Sequence, residues 1–187
     1  MIKVGITGSI ASGKTSVSKI MSKKKWPVFS ADNTVKKLYT NKFIKKKISK
    51  KFKFTTSANF KEKLKKNILK NKTNLKKLGK IIHPFVRKKM IDFFKKNKHK
   101  KYLFCEVPLL IENKLIKYFD VLILIKSKKS LRLKRYVSKG GEARFFELLN
   151  SFQLKDSKKA KYCDYTVVNN TSLLFLKKNV LNIIRRI

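Results

Sequence analysis

Short β-branched and apolar runs punctuate this chain, and lysine-dense stretches with apolar residues three and four positions apart fill the intervals between them. Residues 1–7, Met-Ile-Lys-Val-Gly-Ile-Thr, read as a buried strand, and residues 16–21 as the first turns of a helix. Residues 26–30, Trp-Pro-Val-Phe-Ser, read as a second short strand. From 33 to about 99 no strand pattern occurs. Leu64, Ile68 and Leu69, then Leu75, Leu78 and Ile82, keep helical spacing and predict two amphipathic helices. Pro84 suits the first turn of a further helix, whose buried face would continue through Val86, Met90, Phe93 and Phe94. Residues 102–108 and 121–125 return to strand, the second apolar throughout, as a strand covered on both faces requires. Residues 131–137 read as a helix that Gly140 and Gly141 break, and the segment onward through Gln153 reads as a lid. Residues 165–169 form the last strand, and Leu173, Leu176, Val180 and Ile184 the inward face of a closing helix. Strands alternating with helices, five strands in all, predict a three-layer α/β fold on a parallel sheet. Its core would span 1–32 and 100–187, with a helical insert at 33–99 and a lid at about 138–155.

Between the first strand and the first helix lies Gly8-Ser9-Ile10-Ala11-Ser12-Gly13-Lys14-Thr15, which matches G-x-x-x-x-G-K-[ST] in the strand–loop–helix setting that gives the pattern meaning. Gly8 and Gly13 let the backbone curl so that successive N–H groups face phosphate oxygens, and the following helix adds its positive end. Lys14 would reach the β- and γ-phosphates of ATP, and the Thr15 hydroxyl would serve as a ligand of Mg²⁺. The fold class is therefore the P-loop NTPase fold. Two carboxylates follow strand ends, where an open parallel sheet faces its ligand. Asp32 fits a metal-shell ligand or general base, or equally an N-cap for a helix over 34–39. Glu106 fits a contact with the Mg²⁺ shell, or a turn residue at a strand end. Arg132 and Arg135 lie on one predicted helix and fit either a phosphate site or a solvated face.

Composition changes this picture little. At 187 residues with 42% hydrophobic content, one domain with a real core is expected. No apolar run is long enough to span a bilayer, and no signal-peptide layout opens the chain. Cys105 and Cys163 are far apart in apolar contexts, which suits reduced residues of a cytoplasmic protein. The formal charge of +40, from 50 Lys+Arg against 10 Asp+Glu, admits a nucleic-acid reading. Lysine dominates over arginine, however, and is spread along the chain with abundant Asn, Ile and Phe. That distribution favours compositional drift, so no specific nucleic acid is expected.

Taken together, these segments resemble the dephospho-coenzyme A kinase family. Residues 5–15 are similar to its G-x-T-G-x-I-x-S-G-K-S start, Ala31-Asp32 to the end of its D-A-D motif, and Ile82-His83-Pro84-Phe85-Val86 to its I-H-P-x-V motif. Glu106-Val107-Pro108-Leu109-Leu110-Ile111-Glu112 resembles D-V-P-L-L-F-E, and Asp164 through Asn169 the closing D-x-x-x-x-N. The resemblance implies transfer of the ATP γ-phosphoryl group to the ribose 3′-hydroxyl of dephospho-coenzyme A, the last step of coenzyme A biosynthesis, by a monomer or weak homo-oligomer. It makes Asp32 the base or orienting carboxylate at that hydroxyl. His83, Pro108, Leu109, Leu110 and Glu112 would line the coenzyme side, with Lys61 in place of a family arginine. Arg135 and Lys139 would approach the ATP phosphates from the lid, and Asn169 would join the nucleotide site. Ser30 stands where the family has the first aspartate of D-A-D, and Glu106 where it has a shorter acid. One lid arginine appears as Lys139, and a second falls on Leu149 or Asn150.

Overall fold

The computed structural model describes residues 1–55, 59–71 and 73–187. Ile2–Thr7 (β1), Val28–Ser30 (β2), Tyr102–Glu106 (β3), Val121–Lys126 (β4) and Tyr165–Val168 (β5) form one all-parallel sheet in the order β2-β3-β1-β4-β5. The helices are Lys14–Lys23 (α1), Ala31–Leu38 (α2), Lys42–Phe52 (α3), Phe60–Lys70 (α4), Thr73–Lys96 (α5), Lys129–Val137 (α6), Ala143–Ser151 (α7), Asp156–Ala160 (α8) and Leu173–Arg185 (α9). The strand–helix alternation thus yields the three-layer P-loop fold that the apolar pattern predicts.

Residues 1–30 and 96–187 form one compact unit. Its sheet is buried on both faces, as parallel sheets must be. On one face Val4, Ile6, Phe104, Ile123, Ile125 and Val167 pack with Val17, Ile20 and Met21 of α1 and Leu176, Val180 and Ile184 of α9. The opposite face buries Leu103, Cys105, Leu122 and Leu124. There a Cβ added to Gly5 would come within 2.8 Å of Leu110 and 3.1 Å of Phe119, so the segment after β3 closes directly on β1. The register sets the chemistry: Ile6 pairs with Glu106, and Ser30 with Glu106, at the carboxyl ends of three neighbouring strands.

Residues 31–95 form the second unit, made of helices with no strand among its described residues. Ile44, Ile48, Phe52, Phe60, Leu64 and Ile68 supply its buried face, and Phe60 meets both Tyr39 and Phe54. Asn41 caps α3 by accepting from the Ile44 N–H at 3.1 Å.

Three expected details are corrected. Pro84 sits inside α5 rather than opening a new helix. It removes one ladder N–H, yet the buried stripe of Leu78, Ile82, Met90 and Phe94 continues past it and keeps the helix whole. Leu173 is 62% exposed, so the inward face of α9 begins at Leu176. Ser172 caps that helix by accepting from Phe175 N–H, which leaves the first turn clear of the core. Asp32 lies within the first turn of α2, not at its cap.

Candidate active site

The loop between β1 and α1 has the backbone its sequence requires. Gly8 and Gly13 take φ of 144° and 110°, and added Cβ atoms would meet the Ile125 carbonyl at 2.2 Å and Asn169 Nδ2 at 2.1 Å. No other residue fits either position. Ala11 also sits in the left-handed region, at φ 57°, which costs a non-glycine residue roughly 1 kcal/mol. Lys14 is buried and its Nζ donates to the Ser9 carbonyl at 2.8 Å. Asn169 is buried behind the loop and donates from Nδ2 to the Ser12 carbonyl at 2.8 Å. Its side chain thus shapes the loop from outside.

Thr15 and Glu106, 91 residues apart, meet: the Thr15 hydroxyl donates to Glu106 Oε1 at 2.7 Å. The parallel register produces this contact. Glu106 shares the sheet face of Ile6 and Phe104, and α1 covers that face. Glu106 is 1% exposed. One hydroxyl and one carboxylate are hard oxygen donors, and Mg²⁺ typically takes only one or two protein oxygens beside phosphate and water. No larger cluster of His, Cys, Asp and Glu occurs among the described residues. The donor set therefore fits Mg²⁺ carried in with a polyphosphate.

The segment after β3 departs from the expected ligand wall. Leu110 is fully buried against β1 and offers no surface to a ligand. The Pro108 carbonyl accepts from Thr7 Oγ1 at 3.1 Å and from Lys159 Nζ at 3.1 Å. Leu109 directs its carbonyl to Asn113. Glu112 faces the chain rather than open space. Its Oε1 accepts from Leu154 N–H at 2.9 Å and pairs with Lys159 Nζ at 2.9 Å, while Oε2 is buried without a partner. Lys159 is completely buried. Replacing it with methionine strands the Glu112 carboxylate and should destabilise the fold by about 3–5 kcal/mol, read by denaturant unfolding. The double variant Lys159→Met/Glu112→Leu should recover most of that loss, because an apolar pair needs no desolvated charge.

Two arginines of α6 divide differently from expectation. Arg135 donates to Ser127 Oγ at 3.1 Å and to the Asn169 carbonyl at 3.0 Å, which anchors it on the loops after β4 and β5. Lys139 is exposed beyond the end of α6. Arg132 instead reaches the glycine loop. Its Nη1 donates to the Ile10 carbonyl at 3.3 Å and to Asn150 Oδ1 at 2.8 Å, and Nε donates to the Ser127 carbonyl at 3.2 Å. Burial lowers its pKa, an effect opposed by the negative charges of Asp156 and Glu147. Gln153 Oε1 accepts from Ile10 N–H at 2.7 Å, and Asp156 Oδ1 accepts from Ser9 Oγ at 2.6 Å. Gln153, Asp156 and Lys159 were not singled out by motif. The one hint was scarcity: Asp156 is among only ten acids in the chain.

In the helical unit, Asp32 is exposed in the first turn of α2, two residues along the chain from Ser30. His83 stacks over Gly79, one turn earlier on α5, and its pKa is lowered by burial and then by Arg87. Lys61 lies exposed on α4.

A sequence model of the dephospho-CoA kinase family matches residues 2–174. The dephospho-CoA kinase of Rickettsia conorii is 31% identical over 186 residues, covering 99% of this chain and 97% of that protein. A solved dephospho-CoA kinase from Campylobacter jejuni superposes with a TM-score of 0.69 at 25% identity, over 98% of this chain and 95% of that one. A Thermus thermophilus protein of known structure reaches a TM-score of 0.81 at 22% identity, over 100% and 97% of the two chains, and supports the fold.

Proposed function

The chain belongs to the dephospho-CoA kinase family, and from that premise we propose how its residues carry out the reaction. The enzyme phosphorylates dephospho-CoA with ATP to give coenzyme A. No helix among the described residues is long and apolar enough to cross a membrane. The phosphate loop, residues 8–15, receives the triphosphate on its backbone N–H groups, with Lys14 neutralising charge that builds on the transferred group. Thr15 and Glu106 would hold the Mg²⁺ that accompanies ATP, whose chemistry there would be neutralisation of phosphate charge. The observation that carries this reading is the 2.7 Å contact joining Thr15 to Glu106 beside the loop. Asp32 orients the 3′-hydroxyl and takes its proton. The transition state is loose, so alignment of that oxygen matters more than basicity.

His83 and Lys61 are assigned to the coenzyme side, together with the exposed parts of Pro108 and Leu109. Glu112 acts there through Lys159 and the backbone of Leu154, as a support for the segment around it. Arg135 and Asn169 brace the nucleotide side of the loop, and Lys139 contributes positive charge near the phosphates.

The test is ADP release from Mg·ATP with a panel of acceptors: dephospho-CoA, adenosine, AMP and deoxynucleosides. Turnover is expected with dephospho-CoA and is expected to fall to background without Mg²⁺. Preference for a nucleoside over dephospho-CoA would overturn the substrate assignment.

A further inference from the structure

Both backbone polar groups of Ile10 are taken by side chains from distant parts of the chain. Its N–H donates to Gln153 Oε1, and its carbonyl accepts from Arg132 Nη1. The next residue, Ala11, holds a left-handed φ of 57° without being glycine. A strained residue persists only where its surroundings fix it. In a planar trans peptide the carbonyl and the N–H point to opposite sides. A carbonyl of Ile10 held toward Arg132 therefore turns the Ala11 N–H the other way.

We propose that Arg132 is a positioning residue for phosphoryl transfer, which fixes the Ile10–Ala11 peptide so that the Ala11 N–H faces the polyphosphate. This rests on the assignment of residues 8–15 as the ATP site. Three features suit arginine to the task. Its rigid fork reaches three acceptors at once: the Ser127 carbonyl after β4, the Ile10 carbonyl, and Asn150 on α7. The Phe146 ring lies 5.7 Å from the guanidinium carbon and is itself fully buried, so the plane has a fixed floor. No carboxylate forms an ion pair with Arg132 among the described residues. Its charge therefore polarises the Ile10 carbonyl, which strengthens the Ala11 N–H on the same peptide as a donor. Asn150 matters because it aims Nη1.

The experiment compares Arg132→Gln and Arg132→Lys with the unaltered full chain. It measures kcat, KM for ATP, KM for dephospho-CoA, the calorimetric Kd for ATP alone, and thermal unfolding. Arg132→Gln is expected to raise both KM and Kd for ATP about ten-fold while KM for dephospho-CoA stays within about two-fold. Arg132→Lys should recover part of the loss, since an ammonium keeps the charge on Ile10 but not the fork. In an Ala11→Gly background the penalty of Arg132→Gln should shrink, because glycine holds the left-handed conformation without help. An ATP Kd unchanged by Arg132→Gln, with losses confined to unfolding temperature and active fraction, would overturn the proposal and leave a structural brace. If the unaltered enzyme ignores dephospho-CoA but Arg132→Gln still weakens ATP ten-fold, the acceptor assignment falls and the role of Arg132 stands.

Discussion

Replacing Lys14 with methionine is expected to lower kcat/KM for ATP by about 10³-fold while leaving the protein folded. The ammonium is buried and donates to the Ser9 carbonyl, inside the curve of the loop that would hold the triphosphate. As phosphoryl transfer proceeds, charge moves onto bridging and peripheral oxygens that the loop's N–H groups alone cannot neutralise. Methionine keeps the approximate length of the side chain and removes both the charge and the donor to the Ser9 carbonyl. Some stability is expected to go with that donor, so activity is compared at a temperature where the variant stays folded. Activity within ten-fold of the unaltered enzyme would remove Lys14 from the chemistry.

The loop was legible because its requirements are local. Gly8 and Gly13 are demanded by backbone angles and by atoms within 2.2 Å of an added Cβ, and the strand and helix on either side announce themselves by periodicity. Glu106 was legible as an acid at a strand end. Its contact with Thr15 was not, since that depends on which face of β3 meets α1, and only the sheet register decides this. Leu110 shows the limit more sharply. An apolar residue after a strand can line a ligand or fill a core, and nothing in Val107-Pro108-Leu109-Leu110 distinguishes the two. The pressure of Leu110 on Gly5 makes it core. Pro84 failed for a related reason: local backbone preference favoured a helix start, and a buried stripe running past it outweighed one missing hydrogen bond.

The polar seam from Asn150 to Lys159 was invisible because its partners lie far away in sequence. Ser9 and Asp156 are 147 residues apart, and Ile10 and Gln153 are 143 apart. Each of these side chains has an ordinary exposed-residue identity and acquires meaning only when the end of α7 reaches the glycine loop. The basic composition conceals them further. Among 50 Lys+Arg, the fully buried Lys159 and the loop-bonded Arg132 carry no local mark. Function in this chain is therefore read from what is spent on the phosphate loop, not from the abundance of charge.

Asp32→Asn is expected to lower kcat by about 10²-fold or more, with the Kd for ATP unchanged. The carboxylate stands in the first turn of α2, directly after β2, whose last residue Ser30 is in register with Glu106. An acid in a first helical turn also has a bland role. It complements the helix dipole, which is worth about 0.3–1 kcal/mol at an exposed site. The two roles separate cleanly in the asparagine variant. Asparagine retains size and hydrogen-bonding reach but takes no proton from the acceptor hydroxyl and carries no charge. A dipole role predicts a small fall in unfolding temperature and an intact kcat. A catalytic role predicts the reverse, and the pattern across substrates sharpens it: ATP affinity should hold, because the loop that binds ATP does not include Asp32. Ser30 raises the stakes at this position. With serine at position 30, the chain supplies no second carboxylate at the end of β2, two residues before Asp32. Loss of the Asp32 charge should therefore not be masked by an acid on that strand end. Normal kcat in Asp32→Asn would return the residue to helix stabilisation and leave the acceptor hydroxyl to be oriented by other groups.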